Sequence, residues 1–225
     1  MTASTLDGIA LLRDLPAGQR EQLAAQCRWR DYRPHQEIFS REHPTRDVFF
    51  VATGKVRVVN WSYSGREVSF DDIAAGGIFG ELAAIDGDPR SASVVALENT
   101  TVGSVDPETF IKLILEHPET ARHLFERLAA MVRRGTNRIF ELSVLGANIR
   151  IYADLLQLAE DGKTGENSAE IRPIPVHSDI AARVSTTRET VARVMGDLSR
   201  REIVVRKSDR LVVPDVDLLA ELIEE

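Results

Sequence analysis

The chain has 225 residues, 43% hydrophobic and 28% charged, with a formal net charge of −7. These are the proportions of a globular protein with a real core and room for one large domain or two smaller ones. No stretch approaches the roughly 20 apolar residues of a membrane helix, and "MTASTLDGIALLRDL" lacks the basic start and long apolar run of a signal peptide, so a soluble, cytoplasmic protein with no membrane partner is expected. Cys27 is the single cysteine, which excludes an intramolecular disulfide framework and a four-thiolate cluster. The histidines offer no i, i+4 pair and no cysteine pair to complete one, so no metal site is assigned.

In chain order, residues 5–30 read as short helices, with apolar residues at helical spacing after Pro16. From Tyr32 to Val105 the pattern changes to β-branched and alternating runs, "DVFFVATGKVRVVNW", "REVSFDDI" and "RSASVVALENTTVGSV". Gly54, Ser64-Gly65, Gly76-Gly77, Gly87 and Asn99 punctuate them. Short strands at regular spacing predict a small β-barrel or roll. Pro107 opens a helix and Pro118 a far longer one, each proline suiting a first helical position.

On the long helix, Leu124, Leu128, Met131, Gly135, Leu142 and Leu145 recur at steps of four and three, with Arg138 interrupting. That is a heptad seam. It can serve self-association or pack on its own domain. Self-association is the stronger reading, because about 42 Å of helix at 1.5 Å per residue outreaches a small roll. Gly135 in mid-helix costs about 1 kcal/mol relative to alanine, so close helix approach or room for a ligand is expected there. A further helix, "IRIYADLLQLAED", and a turn-rich loop, "GKTGENSAE", follow.

"HSDIAARVSTTRETVARVMGDLSR" has the layout of a helix-turn-helix. Ile180, Ala181 and Val184 give the first helix an apolar face; residues 184–187 form the turn; Thr186 and Glu189 fit a capping box. Val191, Val194, Met195 and Leu198 form the buried stripe of the second helix, which leaves Arg188, Glu189 and Arg193 to project from the half that enters a major groove. Arginine suits guanine O6/N7 and glutamate accepts from cytosine N4; Thr187, Ser185 and Lys207 are candidate phosphate contacts. Between His177 and Val212 eight Lys/Arg stand against five Asp/Glu, a local surplus of +3 hidden by an acidic tail. The competing reading is an amphipathic helix with a solvated basic face. The preceding helix, the turn and the following hairpin "EIVVRKSDRLVVP" favour double-stranded DNA as the partner.

"FGELAAIDGDPRSASV", residues 79–94, is too polar for a core and too apolar for a linker. Gly80 lets a backbone approach closely, Arg90 offers a bidentate fork for a phosphate, and Ser91 adds a hydroxyl. Glu81 repels phosphate but accepts from a neutral ribose hydroxyl. One carboxylate and one guanidinium on one loop describe a nucleotide site; equally, the two could form a structural ion pair across a turn. Hydrolysis of a nucleotide needs a metal or a nucleophile with a base. No His/Asp cluster or positioned His–Ser pair is present, so no catalytic residue is assigned.

The cassette resembles the phosphate-binding cassette of cyclic-nucleotide-binding domains, and "TTRETVARVMGDL" resembles the recognition helix of the bacterial cAMP receptor protein (CRP/FNR) family. The likeness runs from about Leu11 to Val213 with both motifs in that family's order. It implies an α+β fold: a cyclic-nucleotide-binding, jelly-roll-like β-roll (residues 1–117), a dimerisation helix (118–146) and a winged helix-turn-helix (147–225). It implies Gly80 and Leu82 main chain, Arg90 and Ser91 on the phosphate, and Glu81 on the ribose. It further implies a homodimer reading inverted TGTGA-like half-sites through Arg188, Glu189 and Arg193, with RNA polymerase a partner if the protein activates. cAMP-responsive members place a Thr-Ser pair on the long helix against the purine; the matching positions here are Gly135 and Thr136, so one hydroxyl is gone. cAMP is the expected ligand, with cGMP and ligand-independent binding as alternatives. The redox branch of the family uses N-terminal cysteines that this chain lacks.

Overall fold

The computed structural model describes residues 5–62, 65 and 67–224. Ser64, half of the expected Ser64-Gly65 turn, lies outside the described residues. The chain divides into two compact units, the first ending at Arg133 and the second beginning at Arg134.

The first unit opens with a short 3-10 turn, Ala10–Leu12, and helix α1, Ala17–Gln26. Strands β1 (Arg28–Tyr32), β2 (Glu37–Phe39), β3 (Val48–Thr53), β4 (Lys55–Trp61), β5 (Glu67–Ala74) and β6 (Ile78–Phe79) lead into α2 (Glu81–Asp86), and β7 (Ser93–Ala96) and β8 (Thr100–Val105) complete the roll. They form two antiparallel sheets, ordered β1-β8-β3-β6 and β2-β7-β4-β5. The apolar run "VFFV" of β3 is explained by burial on both faces. Val51 packs with Tyr32, Phe79 and Val102 against Phe39, Val56, Ile73 and Val94 of the other sheet. Val48 and Phe50 turn the opposite way, onto Leu12, Leu23, Phe110 and Leu124 of a helical layer. Successive strand side chains point to opposite faces, so a strand covered on both sides reads as continuously apolar.

Helix α3, Pro107–Glu116, starts where Asp106 accepts from the Thr109 N–H at 2.9 Å and its hydroxyl at 2.8 Å, a side-chain cap worth about 1 kcal/mol. Helix α4, Pro118–Val144, is 27 residues long, as the sequence led one to expect. Of the seam expected on it, Gly135 and Leu142 are exposed, but its first member is taken by the roll. Leu124 is 3% exposed, buried in the helical layer of the roll. The exposed apolar positions on α4 are Phe125, Val132, Ile139, Phe140, Leu142 and Val144, whereas Leu128 is partly buried against the same layer as Leu124. Adjacent residues on a helix lie about 100° apart, so two neighbouring apolar rows both look eligible until the layer beneath claims one of them.

The second unit contains α5 (Ala147–Asp161), β9 (Ala169–Ile171), α6 (His177–Arg183), α7 (Arg188–Arg200), β10 (Val205–Arg206), β11 (Leu211–Val213) and α8 (Val216–Glu224). The expected α7 stripe, Val191, Val194, Met195 and Leu198, is buried with Ile151, Leu155 and Ile180. The hairpin gains a third strand, giving the order β10-β11-β9. Helix α8 was hidden under the acidic charge of the tail. Its signal was the helical spacing of Val216, Leu219 and Leu222, all of which enter this core.

Candidate nucleotide cassette and DNA interface

The cassette forms because Gly80, at φ 83, takes the left-handed turn that ends β6 and starts α2. A Cβ there would lie 2.7 Å from Arg90 Nη1 and 2.9 Å from the Asp47 carbonyl, so a glycine is required twice over. Arg90 is only 3% exposed. Its Nη1 donates to the Gly80 carbonyl at 2.9 Å and its Nη2 to the Asp47 carbonyl at 2.7 Å. The guanidinium carbon stands 4.2 Å from the centre of the Phe39 ring, and Phe39 is backed by Phe49 and Phe79, themselves stacked at 4.9 Å. This is a cation–π seat on the inner face of the roll. Burial pulls the Arg90 pKa down, with the charges of Asp47 and Glu81 acting against that; an arginine remains a cation at neutral pH.

Glu81, 2% exposed, does not turn to Arg90. Its Oε1 lies 3.3 Å from Nε of Arg127 on α4, whose Nη2 donates to the Ile78 carbonyl at 2.7 Å. The carboxylate and the guanidinium of the cassette are therefore each held by separate partners rather than by each other. Ser91 is exposed, and its carbonyl meets Asn60 Nδ2 at 3.4 Å. Among the described residues, two buried polar atoms flanking Ser91 have no hydrogen-bond partner: Arg90 Nε and Asn60 Oδ1. Leu82 is partly buried on α2. Arg127, Asn60 and the Phe39–Phe49–Phe79 bed escaped the sequence reading. Nothing in the sequence separates Arg127 from the other arginines of α4, because only its position along the helix, set by the packed fold, brings it to the cassette.

Gly135 and Thr136 are exposed in the second unit, and a Cβ on Gly135 would meet nothing within 4 Å. The chain itself thus supplies no close helix approach there. Burial pushes the Cys27 thiol up to about 12, leaving it protonated and inert.

In the helix-turn-helix the N-cap of α7 is Thr187, which accepts from the Thr190 N–H at 3.2 Å. The capping box expected from Thr186 and Glu189 does not form: the cap lies one residue later, and its N3 position holds Thr190 rather than an acid or amide. Thr186 is instead buried, its N–H closing the turn onto the Ala181 carbonyl at 3.0 Å. Arg188, Glu189 and Arg193 are all exposed on the N-terminal half of α7. Glu189 is held below its ordinary carboxyl range by its own backbone N–H and then by the Thr187 hydroxyl, so it meets a ligand as an acceptor. Arg193 Nη2 donates to Asn148 Oδ1 at 3.1 Å. Lys207 is exposed in the β10–β11 turn, its N–H bonded to the Arg210 carbonyl at 2.9 Å. The Ser185 hydroxyl accepts from Arg138 at 3.0 Å, which leaves its own O–H as a donor.

A roll carrying a buried Glu–Arg cassette, followed by a winged helix-turn-helix, defines a cyclic-nucleotide-binding module joined to a DNA-binding one. Comparison with known proteins agrees: residues 29–117 match the model of the cyclic nucleotide-binding domain and residues 149–222 that of the Crp-like helix-turn-helix domain. The chain is 31% identical to the cyclic AMP receptor protein of Thermus thermophilus over 85% of its length and 86% of that protein. It is 26% identical to the CRP-like cAMP-activated global transcriptional regulator of Mycobacterium tuberculosis, over 84% and 85%. Among solved structures, a mutant of CooA from Carboxydothermus hydrogenoformans shares the fold with a TM-score of 0.80 at 24% identity, over 94% of both chains. The chain belongs to the CRP/FNR family of transcription regulators. No helix among the described residues is long and apolar enough to cross a membrane.

Proposed function

We propose that the protein is a homodimeric, cyclic-nucleotide-responsive transcription regulator, with cAMP as its ligand and an inverted TGTGA-like sequence as its site. The observation that carries the sensor half is the buried Arg90 Nε without an acceptor. A buried donor left unpaired costs about 1–3 kcal/mol, and a phosphate oxygen would satisfy it. Arg90, Arg127 and Glu81 together carry one positive charge, which suits the single negative charge of a cyclic phosphodiester. In this reading Arg90 and Ser91 hold the phosphate with the main chain of Gly80 and Leu82, and Glu81 accepts from the ribose hydroxyl. Thr136 serves the purine and Gly135 leaves room beside it. The names of the relatives, one a cyclic AMP receptor and one cAMP-activated, support cAMP ahead of cGMP.

The exposed stripe Phe125, Val132 and Ile139 with Leu142 supports self-association through α4. Arg188, Glu189 and Arg193 read bases, while Thr187, Ser185 and Lys207 meet phosphates. RNA polymerase is the further partner of an activator, and the compartment is the cytoplasm. Binding re-weights two arrangements of the dimer only to the extent that the ligand prefers one of them. Calorimetric titration with cAMP and cGMP, paired with DNA binding in the presence and absence of each, tests the proposal. It fails if neither nucleotide binds, or if binding leaves DNA affinity unchanged.

A further inference from the structure

Arg138, which broke the expected seam on α4, has another occupation. Helix α6 ends at Arg183, where the last carbonyls of a helix have no amide partners of their own. Arg138 Nη2 donates to the Arg183 carbonyl and to Ser185 Oγ, the latter at 3.0 Å. From α5, Arg150 Nε donates to the Val184 carbonyl at 3.0 Å, and its Nη1 to the Leu145 carbonyl at 2.6 Å. The Arg183 guanidinium is itself fixed by Asp154 through two bonds of 2.7 Å. The last residue of α6 and the first two residues of the turn are therefore gripped by arginines from outside the helix-turn-helix.

Ser185 adds an independent sign. It sits at φ 52, a left-handed conformation that glycine adopts without penalty and serine does not. A serine there is worth having if its hydroxyl is used, and Arg138 uses it.

We propose that Arg138 is a positioning residue for DNA recognition: through the Arg183 carbonyl and the Ser185 hydroxyl it ties the turn, and with it the N-terminal end of α7, to the last turns of α4. This rests on the reading in which Arg188, Glu189 and Arg193 contact bases. Arg188 and Glu189 begin α7 only three and four residues beyond Ser185, so a turn released from α4 carries them with it. Arg138 also lies two residues beyond Thr136 on the same helix.

The test uses the full-length protein and a duplex that the wild-type protein itself selects from a random pool, alongside a scrambled duplex. Arg138→Ala is expected to lower affinity for the selected duplex about tenfold while changing affinity for the scrambled one less than twofold. The slope of log affinity against log salt stays as in wild type. An arginine that contacted DNA phosphate directly would lower that slope by about one and weaken both duplexes alike, and that result would overturn the proposal, as would unchanged selectivity. Ser185→Gly guards against a simple folding lesion: it relaxes the backbone, so it should melt no lower than wild type yet lose selectivity in the same direction. Undiminished selectivity in Ser185→Gly would exclude the hydroxyl from the device. Arg188→Ala is the separate control on base reading: if it retains full selectivity, the base-reading assignment fails, whatever Arg138 does.

Discussion

Replacing Arg90 by leucine should abolish the nucleotide response of a protein that still folds, and a magnitude follows for each side. On the binding side, the proposed reading has Arg90 make two charge-assisted hydrogen bonds to a phosphate, and the variant would lose both. At about 1.5–3 kcal/mol each, affinity falls by at least about 3 kcal/mol, on the order of a hundredfold. On the folding side, the Gly80 and Asp47 carbonyls lose their donors, at about 1–3 kcal/mol each. Against this, the variant no longer buries a cation or strands its Nε, and a leucine packs well on the Phe39 ring. The two sides nearly cancel, so the melting temperature should shift by only a few degrees. Isothermal titration with cAMP and a thermal melt on the same sample measure both quantities. Affinity within threefold of wild type in a folded Arg90→Leu protein would refute the assignment of Arg90 to the phosphate.

Arg188→Ala should cost about 1–3 kcal/mol of base discrimination, measured by competition between matched and mismatched duplexes, with nucleotide binding unchanged. Ile139→Glu should yield monomers in sedimentation, because it charges the exposed row, whereas Leu124→Ala should leave the oligomeric state alone and cost about 2–5 kcal/mol of stability. Acid stability should depend on the His123 cluster, where Nε2 lies 2.6 Å from Asp14 and Nδ1 3.3 Å from Glu126, with Arg13 at 2.9 Å. The hydrogen bond with His123 lowers the Asp14 and Glu126 pKa values from 3.8 and 4.5. A lowered carboxyl pKa stabilises above its unfolded value and loses that contribution as pH falls through the folded one. Asp14→Asn with Glu126→Gln should therefore flatten the fall in melting temperature between about pH 5 and 3; an unchanged acid limb would count against the cluster.

The residues of local consequence were legible in order. Prolines placed the starts of α3 and α4, β-branched and alternating runs placed β3, β4, β5, β7 and β8 but not β1, whose Arg28–Tyr32 begins within a stretch read as helical, and Gly80 with Arg90 marked the turn of the cassette. Each of these signals lies within a few positions of its effect, as helix periods, strand periods and turn conformations do. Where a neighbour from elsewhere in the chain decides, the sequence underdetermined the outcome. Leu124 and Phe125 are both apolar, and only the sheet beneath buries the first and leaves the second outside. Arg127 and Arg138 are chemically alike and lie on nearly the same face of one helix, and their positions along it, about 16 Å apart at 1.5 Å per residue, give one to Glu81 and the other to the Ser185 turn. The same holds for Glu81 and Arg90, whose charges invite a mutual ion pair. The sequence established that a carboxylate and a guanidinium would share this loop. The tertiary structure gave each its own partner, because a buried charge goes to whichever group the packed fold brings within reach.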